Sequence, residues 1–192
     1  MRTALLLAAA TLVLAACSLA PTAPPRAVYD LGPSPAPVPA GGPVAWRIAD
    51  VTAAPALAGD GIAYRLAFQQ AQRLEHYRDS AWAAPPAALL TQRLRERLAT
   101  PPACAGRPAA LLTVHLDEFE QVFTSPTASQ VVLRVHATLW PAGSGAPAIQ
   151  QPWRVERPAP SPDASGAVQG LTLAVDEWLP QVAAWLGSTG CR

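Results

Sequence analysis

The period of the hydrophobic positions changes along the chain, and each change marks an element. An apolar run from Ala4 to Ala16 follows Met1-Arg2 and ends at Leu14-Ala15-Ala16-Cys17. Ser18 to Pro43 is low in complexity and rich in proline, which favours an extended, semi-rigid spacer. The apolar patch Ala27 to Gly32 interrupts it and reads as an edge strand, leaving about ten residues of free tether. Alternation starts at Val44: Val44, Trp46 and Ile48 share one side, predicting a strand through Val51. Ile62 to Phe68 predicts a second strand and Leu74 to Tyr77 a short third. The period then lengthens. Pro85-Pro86 opens a helix where proline is tolerated, Leu90, Leu94 and Leu98 form its stripe, and Pro101-Pro102 stops it.

Residues 110 to 140 carry the clearest tertiary information. Leu112, Val114 and Leu116 alternate with Thr113, His115 and Asp117; Val131, Leu133, Val135, Ala137 and Leu139 alternate with Arg134, His136 and Thr138. Thr124 to Thr127 is turn material. A hairpin centred there sets Val114 by Ala137 and Leu116 by Val135 on one face, with His115 opposite His136 and Asp117 opposite Arg134 on the other. A slip of one residue would exchange the two faces, so the register is well specified.

Gln150 to Arg157 predicts a further strand after the Gly143-Ser144-Gly145 turn, and Pro158 to Gly166 a loop. Val168, Leu171, Val175, Leu179, Val182 and Leu186 trace a last helix, which Pro180 should kink or split. The fold class is α+β: one mostly antiparallel sheet with two helices packed on one face. The domains are a signal at 1–16, a Pro-rich lipid tether at 17–27 and a single domain at 28–192.

Composition narrows the setting. The opening apolar run is too short to span a bilayer as a helix, which takes about 20 residues, and reads as an export signal. Its end at Leu-Ala-Ala-Cys resembles a bacterial lipobox, making Cys17 the acylated first residue of the mature chain, with diacylglyceryl and N-acyl groups as its covalent lipid and no other cofactor. A plain signal with an incidental Cys17 is the alternative. The chain carries 14 Arg and no Lys against 13 Asp and Glu. Loss of Arg2 makes the mature chain neutral, which argues against nucleic acid as a partner. Cys104 and Cys191 remain; export favours a disulfide between them, worth about 4 kcal/mol on the loop-entropy model. Two buried thiols are the alternative.

Candidate chemistry is sparse. The sequence holds no GxSxG, HExxH, phosphate-binding glycine loop or dinucleotide fingerprint. His115 and His136, beside Asp117, are weak candidates for a metal site, and a partly exposed polar pair is the plainer reading. Glu118 and Glu120 read as solvated positions near the hairpin tip rather than an acid/base pair. Ser80 has no visible base. Phe119, Phe123 and Trp140 share parity with the polar face of the hairpin. They mark either a partner interface or a surface covered by the loop at Pro158 to Gly166.

Tyr29-x-Leu31, Ile62-Ala63-Tyr64-Arg65 and, above all, the run from Tyr77 through Trp82 and Pro85-Pro86 to Leu89-Leu90 together resemble the ABC-type transport auxiliary lipoprotein family, which includes paraquat-inducible lipoprotein C. The likeness covers about Val28 to Leu186. It implies a non-enzymatic periplasmic lipoprotein serving a machine that moves lipids or hydrophobic solutes between the inner and outer membranes. In that machine an ABC permease and ATPase work with a mammalian-cell-entry (MCE) domain protein that this subunit docks, some relatives forming homo-oligomeric rings. Tyr77, Trp82, Pro85 and Pro86 are then architectural. Ser18 is not the Asp that retains many lipoproteins in the inner membrane, which favours the outer one. A structural or assembly lipoprotein of another envelope complex is the rival expectation.

Overall fold

The computed structural model describes residues 25–38, 46–98, 109–142 and 148–188. In chain order the elements are β1 (Ala27–Tyr29), β2 (Trp46–Ile48), β3 (Thr52–Ala53), a 3-10 turn (Pro55–Leu57), β4 (Gly61–Leu66), the one-turn helix α1 (Ala67–Gln70), β5 (Glu75–Trp82), α2 (Pro86–Arg97), β6 (Ala110–Phe123), β7 (Ser129–Trp140), β8 (Ile149–Pro158) and α3 (Ala164–Ser188). Cys17, Cys104, Cys191, Pro101-Pro102 and Gly143 to Gly145 lie outside the described residues.

The long alternating runs build the centre of the sheet. Strands β6, β7 and β8 form an antiparallel meander, and the full order is β1-β5-β4-β6-β7-β8. The edge of β6 away from β7 is lined in succession by β2, β3 and β4, all parallel to it. Strand β5 is antiparallel to β4, and β1 adds a parallel edge to β5. The sheet is therefore mixed in direction, with most of its pairing in the antiparallel meander.

One face of this sheet is covered. Leu112, Val114, Leu116, Leu133, Val135 and Ala137 meet Leu90 and Leu94 of α2 and Leu171, Val175, Trp178, Leu179, Val182 and Leu186 of α3 in one continuous core. Each such side chain contributes about 1.5–3 kcal/mol on burial, so the two apolar helix stripes dominate stability. Trp153 on β8 packs edge-on against Trp178 and Trp185 of α3, at 6.2 and 5.5 Å between ring centroids.

Several elements depart from the sequence pattern for local reasons. The single strand expected from Val44 to Val51 is broken, because the Val51 N–H donates to Thr91 Oγ1 at 2.8 Å instead of continuing the ladder. The strand expected to reach Phe68 stops at Leu66, where the chain turns into α1. The short third strand runs on to Trp82, through the motif residues themselves. Pro180 does not split the last helix: α3 continues from Ala164 to Ser188 with Pro180 exposed. Beside it, Gln181 Nε2 donates to the Glu177 carbonyl at 3.3 Å, so a side chain serves a backbone acceptor there.

The start of the body is fastened by two buried arginines. Arg93 on α2 is 3 % exposed; it donates to the carbonyls of Leu31 and Gly32, the latter at 2.7 Å, and to Asp176 of α3 at 3.3 Å. Arg97, one turn further on, donates to the Ala36 carbonyl, and the Val38 N–H reaches the Arg97 carbonyl at 2.8 Å. Residues 27–38, spacer-like in sequence, are thereby part of the folded domain.

Helix α3 begins where Asp163 Oδ1 accepts the Gly166 N–H at 2.8 Å and the Ser161 hydroxyl at 2.7 Å. The Gly166 amide chiefly, then Ser161, holds the Asp163 carboxyl below its ordinary 3.8. A lowered carboxylate pKa stabilises the fold above the unfolded value and loses that stabilisation as pH falls through the folded one. Asp163→Ala is therefore expected to cost about 1 kcal/mol at neutral pH in chemical denaturation, with the gap from the parent closing below pH about 4. At Gly166 an added Cβ would meet the Ser161 backbone oxygen at 2.0 Å, whereas at Gly59 it would meet nothing within 4 Å. Gly166→Ala should lower stability by about 1–3 kcal/mol and Gly59→Ala by less than about 0.5, read from paired melting curves.

Candidate functional site

The uncovered face of the meander collects the polar candidates, and a single irregularity decides which residues reach it. Up to Leu116 the hairpin keeps the expected register, with His115 facing His136 and Leu116 facing Val135. The register then advances by one: Glu118, not Asp117, faces Arg134, and Phe119 faces Leu133. Asp117 is the extra residue of a β-bulge, and every side chain beyond it exchanges faces.

That exchange overturns the reading of Phe119 and Phe123, and the neighbouring strand β4 overturns that of Glu120. Phe119 and Phe123, placed by parity on the polar face as a partner interface or a loop-covered surface, are 1 % and 7 % exposed on the core side. Phe119 packs against Trp82 with centroids 5.4 Å apart, and Phe123 packs edge-on against Tyr64 at 6.1 Å. Glu120, read as solvated, is 5 % exposed and held by Arg65 through two hydrogen bonds of 3.0 Å. Trp140 pairs with Leu111, ahead of the bulge, and keeps its expected place. It is 49 % exposed on the uncovered face, its indole N–H donating to Thr113 Oγ1 at 3.1 Å.

The bulge also swings Asp117 towards the histidine pair. The two imidazole rings lie 5.1 Å apart, Asp117 Oδ2 is 3.1 Å from His136 Nδ1, and Asp117 Oδ1 is 4.0 Å from His115 Nε2. On the other side of His115, Nδ1 meets the Thr52 hydroxyl at 2.7 Å. A hydroxyl, an imidazole and a carboxylate thus stand in a row. The last step, at 4.0 Å, exceeds the roughly 2.6–3.2 Å within which a base is oriented by its acid. Among the described residues no three His, Cys, Asp or Glu side chains are arranged to hold a metal ion. Glu118 lies between Arg134 at 3.1 Å and Arg154 at 2.7 Å, and Arg154 also reaches Glu156 at 2.6 Å. The face carries compensated charge around one exposed indole, which suits contact better than catalysis.

The motif residues sit at the opposite side of the sheet. Trp82 is 2 % exposed in the core, with Pro85 as the residue before α2 and Pro86 in its first turn. The Tyr77 hydroxyl donates to Gln121 Oε1 at 2.7 Å, and Gln121 Nε2 donates to Ser129 Oγ at 2.7 Å and the Ser161 carbonyl at 2.9 Å. Burial first, then the field of Asp163, raises the Tyr77 pKa, so the phenol stays protonated and donating. Gln121, fully buried, joins three segments, and nothing in its own residue type predicts this. The signal lies in its neighbours: the apolar series Leu112, Val114 and Leu116 resumes at Phe119 rather than at position 118.

A bulge residue is dispensable to the alternation on either side of it. Deleting Asp117 should leave the inward and outward sets of β6 unchanged and the melting temperature within a few degrees of the parent. Deleting Thr113 shifts the register of a regular stretch by one and should abolish cooperative unfolding. Near-ultraviolet circular dichroism with thermal melting distinguishes the two.

Comparison with known proteins agrees with this architecture. The chain is similar to a Xanthomonas campestris protein of the DUF330 family solved by crystallography, with TM-score 0.69, 20 % identity, and coverage of 84 % of this chain and 95 % of that one. It is similar also to a solved uncharacterized protein, with TM-score 0.62, 18 % identity, and coverage of 83 % and 97 %. At these identities the likeness concerns the fold. No curated protein matches significantly. The family model described as ABC-type transport auxiliary lipoprotein component matches residues 29–183, from β1 into α3. The chain belongs to the ABC-type transport auxiliary lipoprotein family.

Proposed function

We propose that this chain is a periplasmic lipoprotein subunit, anchored in the outer membrane through Cys17, of an ABC transporter that moves lipids or hydrophobic solutes between the two membranes. It acts by docking an MCE-domain protein and performs no chemistry of its own. The observation that carries this reading is the family match over 29–183 in a chain that also opens with the Leu14-Ala15-Ala16-Cys17 signal. Family membership supports the transporter, and the lipobox-like Leu14 to Cys17 supports the membrane anchor. The uncovered sheet face supports docking over catalysis, because its Arg and Glu side chains neutralise one another around Trp140, its large exposed apolar group among the described residues. Compensated charge round an aromatic anchor is the usual make-up of a binding centre.

The test is co-purification of the full-length acylated chain with the MCE-domain protein encoded beside it, in a detergent that keeps the acyl chains. Association is expected, and Trp140→Ala should weaken it by about tenfold or more without moving the melting temperature. Absence of any association would count against the MCE partnership, and unchanged affinity in the variant would remove Trp140 from the interface.

A further inference from the structure

We infer that the shallow groove between β1 and α3, flanked by Val28 and Leu173, is the surface with which the body rests on lipid. The groove has a volume of about 640 Å³; Tyr29, Leu31, Ala83 and Val168 add to its apolar lining, and Asp30, Gln169 and Thr172 are its polar members. Val28 is 65 % and Leu173 48 % exposed, and both flank this one depression. Trp140, Ile149 and Phe68, the other exposed large apolar residues described, lie elsewhere.

What selects lipid as the occupant is the length of chain before the body and the point where it enters. Arg26 Nε already donates to the Ser80 carbonyl at 3.2 Å, and Ala27 is paired with Ser80. The arginine clasp on Leu31, Gly32 and Ala36 prevents residues 27–38 from lengthening the tether. Residues 18–25 alone separate an acylated Cys17 from this fastening, a reach of about 30 Å fully extended. A domain of this size is about 40 Å across, so its far pole lies about 60 Å from the entry point around the surface. The tether is too short to present that pole to the bilayer. The apolar residues nearest the entry are Val28, two positions along, and Leu173 across the groove. Trp140 is four strands away and Ile149 five, about 19 and 24 Å at ordinary strand spacing, so the tether reaches them only with most of its length drawn out, whereas the groove lies at its point of entry. A groove edged by exposed apolar side chains and held against a membrane gains by burying them in it.

This inference rests on the anchoring half of the proposed function and not on the MCE partnership. Its test uses the full acylated chain on vesicles of phosphatidylethanolamine and phosphatidylglycerol carrying a lipid with a diazirine in its acyl chain, with adducts mapped by mass spectrometry. Adducts are expected on the peptides holding Val28 and Leu173, several-fold above those holding Phe68, Trp140 and Ile149, which are comparably exposed. Val28→Ser with Leu173→Ser should lower groove labelling while flotation with the vesicles is unchanged. A chain that floats but is labelled equally at Trp140, Ile149 or Phe68 overturns the inference and leaves the anchor standing. A chain that fails to float overturns both.

Discussion

Arg93 is the side chain on which the arrangement of the domain most depends. It is almost wholly buried, yet charged, and a buried cation is tolerable only when its donors are used. Here two go to the backbone of the entering segment and one to Asp176 of α3. One guanidinium therefore joins the edge of the sheet, the first long helix and the last. Its partners on the entering segment are carbonyl oxygens, which any sequence supplies, so a proline-rich spacer with little apolar content is fastened as firmly as a strand. Leaving those carbonyls unpaired would cost about 1–3 kcal/mol each, comparable to losing a core leucine.

The meander supplies the second constraint, and it shows how much the sequence could tell. Alternation at Leu112, Val114 and Leu116 against Val135, Ala137 and Leu139 specified pairing and register together, because a slip would have buried His115 and His136. The helical stripes of α2 and α3 were equally plain. The bulge at Asp117 was less so. Two consecutive acidic residues between Leu116 and Phe119 mark the change of parity, but continued strict alternation fits the next few residues nearly as well. One extra residue moved Phe119 and Phe123 into the core, whereas Glu120 lies on the other face and is buried there by Arg65 of β4.

The buried arginines were not legible at all. Arg93 and Arg97 stand one turn apart on α2 among other charged residues and look like a solvated helix face. Their burial depends on a segment about 60 residues earlier in the chain that presents only backbone acceptors. Gln121 is similar: a polar residue in a strand reads as outward-facing until Tyr77 and Ser161 are seen to use both ends of its amide. The family was legible by a different route: the Tyr77 to Leu90 run through Trp82 and Pro85-Pro86 carried it.

Residues 27–38 thus belong to the body and not to a free spacer. Hydrogen–deuterium exchange on the full-length chain, compared with Arg93→Ala, measures this most directly. The account predicts protection of residues 27–38 comparable to that of β5 in the parent, and its selective loss in the variant while β6 and β7 remain protected. Rapid exchange of 27–38 in the parent, as in a free spacer, would contradict it.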